Sequence, residues 1–420
     1  MRRILLTILA VAVVVASGAS GSASPASPSA ADDVRLLMER IRTAHPDPFH
    51  ATSEAAFQAA ADGLAARADG LTPDQLLVEL MRFSCLLGER DGHSGIFPLD
   101  SSNRRVLHLF PLYLYKFSDG LFVVAAPGRE SLVGSKVLAL DGIPADELER
   151  QVRPLVPRDN EATRDDRFMS FLLTAEVLHG LGLRAGTGPA AFTLLRPGAA
   201  PQEVTLAPVS ASAYLRLMHP LFPSFVYALP KRPKPPYLRR RGEDHYVTTI
   251  DRGRAVFVGY NMTVGSTWPE ARKLARLVKS RKVRRVVVDV RLNPGGDNHT
   301  YAPLFAVLRS KAVNRPGRLV VLISRSTFSA AENFITDLER RTRAVFVGET
   351  SGGSPNLYGD ATGVELPAAG VYVNIATRYW QKSFAADTRV GIGPKVTVPL
   401  SSAAFFRGGD PVLAAALAWH

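Results

Sequence analysis

The chain has 420 residues, enough for two or three domains with a sizeable core. Its 46% hydrophobic and 21% charged residues exclude a chain that is disordered as a whole. The formal charge is +13, but the basic residues are not interleaved with aromatics for base stacking, so nucleic acid is not an expected partner.

The start is basic (Met1, Arg2, Arg3), then apolar over residues 4–16, then small up to Ala23. This is the pattern of a secretory signal over residues 1–23, cut near Ala19 or Ala23. No cysteine lies near the cut, so a lipid anchor is not expected. The expectation is a secreted or periplasmic, cell-envelope protein with no membrane span once the signal is removed. Residues 24–31 read as a Ser/Pro/Ala tether.

Residues 32–100 read as an N-terminal helical region. Apolar stripes run through Leu36, Leu37 and Ile41, through Phe57, Ala60 and Leu64, and through Leu76, Leu77, Leu80 and Met81. Thr72 and Pro73 suit the N-cap and first position of the third helix. Cys85 is the only cysteine, which rules out an internal disulfide; its apolar helical neighbours mark it as a buried thiol, not a nucleophile. The helices end in a glycine-rich polar loop, residues 88–95, that carries Asp91, His93 and Ser94. His45 and His50 sit beside prolines and read as structural.

Residues 101–210 turn to alternating strands divided by Asp-Gly turns. Residues 132–144 (LVGSKVLALDGIP), followed by a helix at Ala145–Val152, resemble the core of a PDZ domain. That module binds extended peptides by adding a strand to a sheet edge, although its carboxylate-binding glycine loop is not visible here. Residues 211–245 read as a linker. Its basic run, residues 231–241 (KRPKPPYLRRR), reads as solvated and able to meet an acidic envelope surface.

From 246 to 420 strands alternate with helices, an α/β layered pattern. Leu319–Ile323 is an apolar strand, and a helical stripe begins at Ser329 and runs through Ala330, Ala331, Phe334, Ile335 and Leu338. A serine at a helix start has backbone N–H groups beside it that suit an oxyanion. Ser329-Ala-Ala-Glu332 also fits a simple capping box. Upstream, residues 285–290 form a strand that runs into Asn293-Pro294-Gly295-Gly296, where glycines let backbone amides approach a ligand. On pattern alone a plain Pro-Gly turn is the favoured explanation of those residues. No His/carboxylate cluster has metal-ligand spacing, and no cofactor is expected.

The ordered set DVRLNPGG (289–296), FSAAE (328–332) and GETSGGS (348–354) resembles the tail-specific, or C-terminal processing, serine peptidases. Asp91-Gly92-His93 resembles an element of their tricorn-like branch. The segments 355–360, 377–381 and 409–413 are also similar to bacterial members of that branch. The resemblance covers roughly residues 33–420 and implies a crotonase-like (ClpP/crotonase) catalytic domain at 246–420, with a PDZ-like β domain at 101–210. It implies a nucleophile at Ser329 and an oxyanion hole from the amides of Ala330 and of Gly295 or Gly296.

The base departs from the commoner pattern. Processing peptidases carry a lysine where this chain has Ser354, and residues 342–373 contain no lysine. The tricorn-like branch uses histidine, which falls on His93. An imidazole titrating near neutrality can take the serine proton. Asp91, Ser94, Glu349 and Asp387 are candidates for orienting it, and His299 is a lesser candidate base. The expectation is an exported serine hydrolase that cleaves peptides or polypeptides through an acyl-enzyme. The alternatives are a non-catalytic lipophilic-ligand or peptide-binding protein on the same scaffold, as in interphotoreceptor retinoid-binding protein repeats, or an esterase.

Overall fold

A computed structural model describes residues 28–218 and 234–419. The signal expected over 1–23 lies outside the described residues. Among the described residues no helix is long and apolar enough to cross a membrane.

Three helices open the fold, Ala30–Ala44, Glu54–Ala68 and Pro73–Ser84. Each starts where a hydroxyl can cap it. Ser29, Ser53 and Thr72 accept from the backbone of Asp32, Ala56 and Gln75, and Pro73 occupies the first helical turn. The 3₁₀ turn Cys85–Leu87 ends at Gly88, whose φ of 85° lets the chain reverse into the loop that carries His93.

A six-stranded sheet follows. Its antiparallel path runs Tyr113–Phe117, Gly120–Ala125, Lys136–Leu140, Ala190–Leu195, Gln202–Leu206, and the short strand Ile143–Pro144 pairs with Lys136–Leu140. The helices Ala145–Val152 and Glu161–Leu172 lie between its third and fourth long strands. The sheet does not form a core separate from the N-terminal helices. Leu37, Phe57 and Leu77 belong to the same apolar cluster as Val123, Phe168 and Phe192, and the hairpin Thr362–Leu366 with Val371–Ile375 joins it from the C-terminal segment. Segments 32–100 and 101–210 therefore share one core.

The second large sheet has the order Val396–Thr397, Val345–Gly348, Leu319–Ile323, Arg285–Asp289, Ala255–Tyr260, His245–Ile250. Every pairing is parallel except the last. Its inner strands are continuous apolar runs because both faces are covered. Val286, Val288, Val321 and Ile323 face one cluster with Phe334 and Leu338; Val287, Val320 and Leu322 face another with Phe405 and Val412. Helix Ala330–Arg341 follows the Leu319–Ile323 strand, so the C-terminal ends of the central strands carry the loops of interest.

The linker reading needs correction. Residues 219–233 lie outside the described ones, but Pro236–Arg239 is a helical turn with Tyr237 and Leu238 buried. The Arg291 guanidinium sits 4.1 Å over the Tyr237 ring, and the Tyr246 hydroxyl donates to the Pro236 carbonyl at 3.0 Å. An aromatic anchor in the basic run ties its second half to the sheet.

Candidate active site

Ser329 occupies the turn between the Leu319–Ile323 strand and its helix, at φ 54° and ψ −122°. That region is sparsely populated for a residue with a Cβ, and such outliers cluster at functional sites. Ser329 is the N-cap residue but makes no capping hydrogen bond. The capping-box reading is therefore corrected. The Glu332 carboxyl does not reach back to the serine but accepts from Ser351 Oγ at 3.1 Å. Burial pushes the Glu332 carboxyl well above the usual carboxylate range, which keeps it neutral.

Oγ of Ser329 lies 2.9 Å from Nε2 of His93, across 236 residues of sequence. The His93 ring stacks on Phe328 at 4.6 Å. Burial, reinforced by the nearby Arg167 charge, lowers the His93 pKa to about 4. The imidazole is thus neutral at ordinary pH, with Nε2 able to accept. Asp91, Asp360 and the backbone of Tyr358 act in the opposite direction.

None of the four residues considered for orienting His93 hydrogen-bonds to its Nδ1 among the described residues. Ser94 Oγ accepts from the Ala376 amide at 2.8 Å. Glu349 pairs with Arg325 at 2.8 Å, and Asp387 with Arg389 at 2.8 Å. Asp91 Oδ2 lies 3.1 Å from Nε2 of His45, both side chains fully buried. Nδ1 of His45 accepts from the Asp47 amide at 3.1 Å, which leaves Nε2 as the nitrogen facing Asp91. His45, read as merely structural from its neighbouring prolines, thus lies directly behind the DGH loop. Only the folded chain brings it there.

The glycine turn comes up against Ser329. A Cβ on Gly295 would lie 2.7 Å from Ser329 Cβ and 3.0 Å from the Ala330 nitrogen, and φ is 117°. A Cβ on Gly296 would lie 2.2 Å from the Thr263 carbonyl oxygen. The two glycine amides are not equivalent. Gly295 N–H donates to Asn293 Oδ1 at 3.0 Å. No hydrogen bond within the chain engages the Gly296 or Ala330 amide among the described residues. Asn293 is itself fully buried, donating from Nδ2 to the Tyr260 carbonyl at 3.0 Å and accepting the Phe328 amide on its own carbonyl at 3.1 Å. It ties the glycine turn to the serine turn.

Ser354, where a lysine would fall in a Ser–Lys enzyme, is buried; its amide donates to Asp159 Oδ2 at 2.8 Å and its Oγ to the Val390 carbonyl at 3.1 Å. His299 is highly exposed and paired with Asp297 at 2.8 Å. Cys85, expected to be buried, is only half-buried, yet desolvation still pushes its thiol up to about 12, far from a reactive thiolate. Among the described residues no group of His, Cys, Asp or Glu could hold a metal ion.

Residues 297–398 match the model of Peptidase family S41. That match supports a serine-type peptidase. The matched segment contains Ser329 but not His93. Mature CPAF is similar in fold, at 14% identity and a TM-score of 0.61, over 90% of this chain and 94% of that one. Mature CPAF complexed with lactacystin has the same identity and TM-score, over 90% and 95%. A mutant form of CPAF gives 0.63 at 14% identity, over 90% and 94%. At this identity the likeness concerns the fold alone. No curated protein matches the chain.

Proposed function

We propose that this chain is an exported peptidase that cleaves peptides or polypeptides through an acyl-enzyme on Ser329, with His93 as general base. The observation that carries the reading is the 2.9 Å contact between His93 Nε2 and Ser329 Oγ. His93 Nε2 takes the hydroxyl proton as Oγ attacks the substrate carbonyl. The amides of Gly296 and Ala330 hold the developing oxyanion, with Gly295 kept small so that the oxygen has room. The imidazolium then gives its proton to the leaving amine. Water, deprotonated by the same nitrogen, attacks the ester and frees Ser329.

We read the 246–420 segment as crotonase-like and the antiparallel sheet at 101–210 as PDZ-like. Its helix Ala145–Val152 after the Lys136–Leu140 strand supports that reading. The charge pattern of the first 23 residues supports export, and the basic run 231–241 an acidic envelope surface as its surroundings.

The test is hydrolysis of a fluorescein-labelled unfolded polypeptide by wild type and Ser329→Ala. The expected result is a loss of at least about 10³-fold in the variant. An equal rate in both would remove Ser329 as nucleophile. Turnover of aryl esters without any peptide cleavage would make the protein an esterase; turnover of neither would favour the non-catalytic binding reading.

A further inference from the structure

His93 sits on a loop of an N-terminal segment, while Ser329 sits on the large parallel sheet. Something must fix one against the other to well under an ångström. The Asp91-Gly92-His93 loop is gripped through Gly92, and from outside both elements. Gly92 N–H donates to Asp159 Oδ1 at 2.7 Å. The Gly92 carbonyl accepts from Arg167 Nη1, which also reaches the Pro157 carbonyl at 3.3 Å. A Cβ on Gly92 would come within 3.0 Å of Asp159 Oδ1 and 3.1 Å of Arg167 Nη1, so any larger residue there would press on both groups that hold the loop.

The same two residues reach the serine side. The second oxygen of Asp159 accepts the Ser354 amide at 2.8 Å, in the loop packed against the nucleophile helix at Glu332. The Arg167 guanidinium lies 4.4 Å over the Phe328 ring, whose stacking on His93 was described above. The Asp159 carbonyl accepts the Arg90 amide at 3.0 Å. Next to it, Asn160 Nδ2 donates to the Ser351 carbonyl at 2.9 Å. Asp159 is completely buried, yet it keeps no lone carboxylate oxygen: each holds one backbone amide from one of the two loops.

We infer that Asp159 and Arg167 are positioning residues that hold His93 against Ser329, Asp159 by bridging the two loops and Arg167 by fixing Gly92 and the Phe328 platform. The inference rests on the Ser329–His93 reading above. Neither residue lies in the segment that matches the peptidase family. Arg167 has a second, electrostatic consequence. Its charge opposes protonation of His93, against Asp91 and Asp360, which favour it. Asp159 faces Arg167 and Asp91, and Glu332 feels its charge.

The experiment is the pH dependence of covalent inactivation by a fluorophosphonate probe, with its rate and half-saturation separated. Arg167→Gln is expected to move the acid limb of the inactivation rate to higher pH, whereas Arg167→Lys, which keeps the charge, leaves it in place. Asp159→Asn loses one of two amide acceptors. It is expected to lower the maximal rate by about 10²-fold, with half-saturation and acid limb unchanged. A merely structural defect would not produce this split. Wild-type limbs and rates in both Arg167→Gln and Asp159→Asn would overturn the inference. If Arg167→Gln does not fold, Arg167→Lys decides, since a limb displaced in that variant contradicts the charge argument. Absence of Ser329-dependent labelling in the wild type would instead remove the peptidase reading itself.

Discussion

At the scale of single residues, Ser329 combines a strained backbone with a contact that no local pattern encodes. The strain costs of the order of 1–3 kcal/mol and is held by its surroundings. Gly295 is one of them. Gly295→Ala forces a Cβ into the space beside Ser329 Cβ and the Ala330 amide. The expected outcome is a loss of probe labelling of at least about 10²-fold with the unfolding midpoint lowered, measured by labelling and thermal melts. His93 makes a pH prediction. Its folded pKa of about 4 lies below the unfolded value near 6.5, so between these pH values the unfolded chain binds more protons. Stability from this group therefore falls as pH drops through that window, and the acid limb of labelling is expected near pH 4, not near 6.5. Asp159, pushed up to about 6 by burial, has the opposite sign. There the folded chain binds more protons, and its contribution to stability declines as pH rises from about 4 to about 6.

Ser329 and His93 were visible in the sequence through ordered motifs. The distinction between the Gly295 and Gly296 amides was not, because it depends on where the Asn293 side chain points. His45, Asp159 and Arg167 carry no local signature either. Their positions behind His93 arise from chain crossings that a sequence pattern cannot express.

At the scale of elements, the apolar runs and caps were readable. Leu319–Ile323 and Ala145–Val152 form as the periodicity and composition require. Helix Glu161–Leu172 escaped, since its buried apolar residues Phe168, Met169, Phe171 and Leu172 crowd its last turn and leave no stripe at its start. The pair Asn356–Gly359 and Arg378–Gln381 escaped as strands because both are short. Two elements yield stability predictions. Asp410 caps the helix Pro411–Ala418 and pairs with Arg291, which also grips Asp289. Arg291→Met leaves two buried carboxylates unpaired and is expected to cost about 3–5 kcal/mol in urea denaturation. Within the helix Ala330–Arg341, burial holds Glu332 neutral in the folded state at a pH where it ionises when unfolded. A raised folded pKa means its contribution is lost as pH rises. Glu332→Gln is therefore expected to melt like the wild type near pH 4 and above it at pH 8. A constant difference across that range would contradict a neutral Glu332.

At the scale of the molecule, the division into consecutive segments was only partly what the cores show. Helices from 30–84, the antiparallel sheet and the hairpin near 366–375 share one apolar cluster, so the N-terminal half folds around the chain's own C-terminal segment. That closure brings the His93 loop onto the serine turn, and Gly95 pairs with Asn374 in the same seam. Alternation of apolar and polar residues reports which face is buried, but not which distant face covers it. The central claim is that Ser329 is the nucleophile and His93 its base. Its most direct measurement is fluorophosphonate labelling at neutral pH followed by peptide mapping, in wild type and His93→Ala. The account predicts one adduct, on Ser329, formed at least about 10²-fold more slowly in His93→Ala. An adduct on any other residue, or an equal rate in the variant, would contradict it.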